Sequence, residues 1–64
     1  MRNQLPYSVE CKSSYPFFER IAAFDIAHAA RAYADKCATT NPQFEYRVMY
    51  RGKVHQAYPA KVAT

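Results

Sequence analysis

Tyr7-Ser8-Val9-Glu10-Cys11-Lys12 alternates apolar and polar side chains. A period of two is that of a strand with one buried face. Tyr7, Val9 and Cys11 are expected toward a core, and Ser8, Glu10 and Lys12 toward water or a partner. Ser13-Ser14-Tyr15-Pro16 interrupts the alternation: Pro16 has no N–H and pushes Tyr15 into extended geometry. Phe17 to Phe24 fits a second strand or the opening turns of a longer helix, and the strand is preferred. Ile21 and Ala23 then share one strand face, so the chain enters the helix without exposing them. Asp25 is placed to cap that helix, because its carboxylate can accept from amides two or three residues on.

From Ile26 to about Ala38 the period changes. Ile26, Ala29, Ala30, Tyr33 and Cys37 fall at i, i+3, i+4, i+7 and i+11, which is one stripe of a helix. Ala27, Ala32 and Ala34 add helix propensity, and an alanine-rich stripe lets a helix approach a sheet closely. Thr39-Thr40-Asn41-Pro42 is expected to end the element, with Asn41 in a left-handed cap and Pro42 unable to continue.

Phe44 to Tyr50 alternates again, with Phe44, Tyr46, Val48 and Tyr50 on one face and Glu45, Arg47, Met49 and Arg51 on the other. Gly52 marks a hairpin, and Val54 to Tyr58 returns. A three-residue loop would set Val54 opposite Val48 and Tyr58 opposite Phe44, keeping the even-numbered apolar residues together. A type I turn with a bulge is therefore expected, with Gly52 at positive φ. The element order is β-β-α-β-β, or β-α-β-β if Phe17–Phe24 is helical. Either way this is an α+β domain, one helix packed on a small antiparallel sheet, with the opposite sheet face open.

The chain has 64 residues, enough for one domain, with an ordered core expected over about 5–58 and short flexible ends. A domain of this size buries only about 60% of its unfolded surface, which leaves little room for a deep pocket and a catalytic shell. Ten residues are aromatic, six Tyr and four Phe, and there is a single Gly. That composition is globular rather than disordered. Nine Lys/Arg against five Asp/Glu give a net charge of +4. The cations are scattered, which favours solubility and a mild attraction to acidic partners over a dedicated polyanion stripe. Secreted scaffolds this small usually carry four or more cysteines, and this chain has Cys11 and Cys37 only. With a polar start at Met1–Pro6 and no apolar run of membrane length, a cytoplasmic protein with reduced thiols is expected, with no membrane contact.

Candidate chemistry is sparse. The possible metal ligands Cys11, His28, Cys37 and His55 lack close-spaced pairing, and the cysteines fall on expected core faces while the histidines fall on outer ones. A nucleophilic cysteine needs a cleft and a lowered pKa, whereas both thiols sit in apolar stripes. One glycine makes no phosphate loop, and the carboxylates are isolated. No catalytic, metal or cofactor site is expected. A solvated outer sheet face would hold Lys12, Arg47, Met49, Arg51 and His55, with Lys53 beside the hairpin and Tyr15 as an exposed aromatic. These are the expected partner-binding residues. A nucleic-acid partner would use the cations, but base-stacking sheets need aromatics on the open face, and here the strand aromatics segregate to the covered one. A protein partner with an acidic surface fits the tyrosine and arginine content and the basic net charge. Two sheet edges also allow a homodimer by strand addition.

Ile21-Ala22-Ala23-Phe24-Asp25-Ile26-Ala27-His28-Ala29-Ala30, followed by Asn41-Pro42-Gln43-Phe44-Glu45-Tyr46-Arg47-Val48, resembles in pattern many small bacteriophage accessory proteins, anti-CRISPR and other anti-defence inhibitors among them. In these a strand runs into an alanine-rich helix followed by a terminal hairpin. The resemblance covers most of the chain, matches no diagnostic motif and transfers no functional residue. It implies a non-enzymatic inhibitor in the host cytoplasm that occludes a protein surface of a defence complex. A basic chain departs from the acidic DNA mimics of that group.

Overall fold

Alternating segments form strands and the 3.6-period segment forms a helix, in the order β1 (Tyr7–Lys12), β2 (Glu19–Phe24), α1 (Ala27–Thr40), β3 (Glu45–Tyr50) and β4 (Lys53–Tyr58). The computed structural model describes residues 5–14 and 16–61. The sheet order is β2-β1-β3-β4, antiparallel throughout. The fold is α+β with β-β-α-β-β order, and the segment that could be strand or helix forms a strand over Glu19–Phe24, with Phe17 and Phe18 preceding it. No helix among the described residues is long and apolar enough to cross a membrane.

The central strands pair residue for residue, with Tyr7 opposite Tyr50, Val9 opposite Val48 and Cys11 opposite Tyr46. Helix α1 covers that side. Val9, Val48, Ala30 and Ala34 are completely buried together, with Tyr7, Ala22, Phe24 and Tyr58 packed around them. Among the described residues the largest side chains fully removed from water are the two valines, each contributing about 1.5–3 kcal/mol.

The helix presents a different stripe from the one its periodicity suggests. Its buried residues are Ala30, Ala34 and Ala38, while Ile26 is exposed and Tyr33 is 37% exposed. Alanine surrounds the helix, so apolar spacing alone does not fix its rotation. The smallest residues settle over Val9 and Val48, and the Tyr33 ring moves to the rim, tilted against Phe24 at 5.4 Å. The N-cap is Ile26, extended at φ −130 and ψ 150 with no side-chain cap bond, so Asp25 lies one residue too early to serve. Thr39 and Thr40 remain helical, the Thr39 hydroxyl donating to Asp35 O at 2.9 Å. Asn41 ends the element by donating its N–H to Cys37 O at 2.8 Å. Its φ of −126 is not the left-handed cap expected.

The hairpin also departs from expectation. Tyr50 pairs with Lys53 across a two-residue turn, and Arg51 (φ 49) and Gly52 (φ 83) both have positive φ, the pattern of a type I′ turn. Parity misled because β4 does not alternate without a break. Val54 opposes Met49 and Gln56 opposes Val48, which leaves His55 as the extra residue of a bulge. Val54 is therefore on the open side, and beyond the bulge Tyr58 returns to the helix side opposite Tyr46. Strand β2 does the same: Arg20 opposes Glu10 and Ala22 opposes Val9, so Ile21 is extra. Ala22 and Phe24 go to the helix side, Ala23 shares the open side with Ser8, and Ile21 is 42% exposed rather than sheltered. Beyond the sheet, Lys61 N–H donates to Pro42 O at 2.7 Å.

Candidate functional site

The sheet face opposite α1 carries Ser8, Glu10 and Lys12 from β1 and their cross-strand partners Met49, Arg47 and Glu45 from β3. Its centre is a stack. Arg47 donates through Nε to Glu10 Oε1 at 2.7 Å, and its Nη2 lies 2.7 Å from the same oxygen, the two side chains being 29% and 20% exposed. The Arg47 guanidinium carbon sits 3.8 Å from the centroid of the Phe18 ring, and Lys12 Nζ is 6.0 Å from it. A planar guanidinium can stack on an aromatic face and at the same time donate from its edge to a carboxylate. The outer face is thus not simply solvated: its central arginine is half-buried and committed.

The expected partner-binding residues divide three ways. Lys12, Arg47 and Met49 come together on the open face. Arg51 and Lys53 flank the hairpin, Arg51 Nε donating to Tyr50 Oη at 3.2 Å with its guanidinium carbon 5.5 Å from that ring. His55 is not on the open face. The bulge turns it to the helix side, where Nε2 lies 3.1 Å from Arg31 Nη1 and the ring meets Tyr7 edge-on at 5.6 Å. Tyr15 lies outside the described residues.

Phe18, one of the aromatics that a single helix is not expected to cover, joins the open face, and so does Arg20, which the sequence did not single out. Alternation with Ile21 and Ala23 turned inward already sets Phe18 and Arg20 outward; the bulge at Ile21, invisible in the pattern, changes the faces of Ala22, Ala23 and Phe24 instead. With the bulge in place Arg20 falls opposite Glu10, whose carboxylate Arg47 already holds. Tyr7, Tyr46, Tyr50 and Tyr58 stay on the helix side as expected, and Tyr58 Oη donates to Arg31 O at 3.3 Å.

On the helix side Cys11 and Cys37 are free thiols. Burial first of all pushes the Cys11 thiol above its ordinary value, the Tyr46 hydroxyl opposing and Cys37 adding to the rise. Burial raises Tyr46 likewise, with Cys11 contributing. Such groups stay protonated at neutral pH, the opposite of an activated nucleophile. Among the described residues no three His, Cys, Asp or Glu side chains gather as a metal site would require.

No protein-family model, no curated protein and no solved structure matches the chain.

Proposed function

We propose that this chain is a small protein-binding module that docks an acidic protein surface on its helix-free sheet face. The observation that carries this reading is the Phe18–Arg47–Glu10 stack at the centre of that face. It is a rigid, partly desolvated aromatic and arginine anchor, and such anchors dominate interface energetics when they need no reordering on binding. The arrangement is less suited to a nucleic acid. A single-strand platform needs free rings on which bases stack, but the Phe18 ring is already covered by Arg47. Dimerisation through a sheet edge is also disfavoured, because both edge strands carry a bulge, a device that blunts strand addition. The phage-inhibitor reading rests on the pattern resemblance alone, and the docking function does not depend on it.

The test is affinity capture from a lysate of the native host, with and without nuclease, using the wild-type chain, Lys12→Glu and the helix-face control Lys36→Glu. A stoichiometric protein that survives nuclease, is lost with Lys12→Glu and is kept with Lys36→Glu supports the docking face. Material that disappears with nuclease would replace it with a nucleic-acid function.

A further inference from the structure

We propose that the depression between Arg20 and Arg51, at the hairpin end of the open face, binds an oxyanion, namely a side-chain carboxylate on an acidic segment of the docked protein. The identity of the carrier rests on the docking function above; the site itself rests on its own geometry.

Leu5, Pro6, Ser8, Arg20, Arg51 and Gly52 line a concavity of about 260 Å³. None of the six is acidic. Arg20 makes no ion pair or hydrogen bond with any described residue: Glu10, its cross-strand neighbour, spends its carboxylate on Arg47. Among the described residues Arg51 makes one side-chain hydrogen bond, donating through Nε to the Tyr50 hydroxyl, which leaves its terminal nitrogens for a ligand. Arg47 is thus compensated, whereas Arg20 on β2 and Arg51 in the turn have no carboxylate partner among the described residues, and those two border the same hollow. Ser8 adds a hydroxyl donor. Arginine presents paired donors that match a carboxylate.

The turn adds an independent observation. Position 51 has φ 49, a conformation that asparagine or glycine adopts with less strain than a long side chain. Position 52 is open: a Cβ there would meet nothing within 4 Å. A long cation held in a left-handed turn, beside empty space, breaks a local rule. Such breaks cluster where a side chain serves binding rather than folding.

The test is a titration of the ¹⁵N-labelled full chain with a capped hexaglutamate peptide, followed by amide shifts, with inorganic phosphate as a second probe. Saturable shifts confined to Ser8, Arg20, Arg51 and Gly52 are expected. Arg20→Gln should weaken peptide binding roughly tenfold, as loss of one charge-assisted hydrogen bond implies, with the rest of the spectrum unchanged. Arg51→Asn should weaken it likewise while suiting the turn, so its loss of binding cannot be assigned to misfolding. Shifts scattered over Lys36, Lys53 and Lys61, or unaltered affinity in Arg20→Gln, would overturn the site. Phosphate saturating the same amides at lower concentration than the peptide would overturn the carboxylate assignment in favour of a phosphoryl group. Peptide binding that fails while lysate capture still depends on Lys12 removes the oxyanion site alone; the reverse result removes the docking function alone.

Discussion

At Ala34 one methyl group is all that fits between helix and sheet. Its neighbours Ala30, Val9 and Val48 are as completely buried as it is, so nothing nearby has slack. Ala34→Leu is expected to destabilise by about 1–3 kcal/mol, measured as a lower urea midpoint with unchanged slope. Tyr33→Ala, at the partly exposed rim, should cost less than the roughly 3–5 kcal/mol of a fully buried aromatic. Titration adds a second expectation. Cys11 lies above its usual 9.0, and Tyr46 and Tyr58 lie above their usual 10.0, mainly through burial. An acid whose folded value is raised loses nothing below its unfolded value, then costs stability as pH climbs and the unfolded chain ionises first. Melting temperature should therefore hold steady through neutral pH. It should fall as pH passes 9.0 and then 10.0, and Cys11→Ala should remove the first part of the decline.

The hairpin is where an element and its sequence disagree. Gly52→Ala should cost about 1 kcal/mol, because φ 83 suits only glycine well. Arg51→Asn should raise the melting temperature slightly, since Asn-Gly is the preferred pair for this turn. How much was legible follows from the same elements. Strand β1, the helix and strand β3 were readable because periodicity is a local property, and the open face of β3 with Lys12 followed from it. The bulges at Ile21 and His55 were not readable: an inserted residue leaves no mark in composition, yet it reverses every face beyond it. That reversal misplaced Ala22, Ala23 and Phe24 in β2, and the two-residue turn with its bulge misplaced Val54 and His55 in β4. Helix rotation was ambiguous for another reason, since with alanine on every side no stripe is distinctly more apolar. Asp25 looked like a cap because caps are chosen by residue type, whereas the entry geometry puts Ile26 there.

For the whole molecule, charge and packing meet on one face. Arg47→Ala removes the partner of a half-buried carboxylate and uncovers Phe18, so it should destabilise by about 1–3 kcal/mol as well as abolish partner capture. Lys12→Glu should abolish capture with little change in melting temperature. Comparing the two separates folding from docking, which Arg47 alone cannot do. With both edges bulged, sedimentation should find a monomer. The alanine seam has one more consequence. A helix that rests on methyl groups exposes little new hydrocarbon when it lifts away, so the heat-capacity increment of unfolding should fall below the roughly 12–15 cal/mol/K per residue of ordinary domains. The stability curve then flattens, and the domain would keep much the same modest margin from cold to warm, melting broadly rather than sharply.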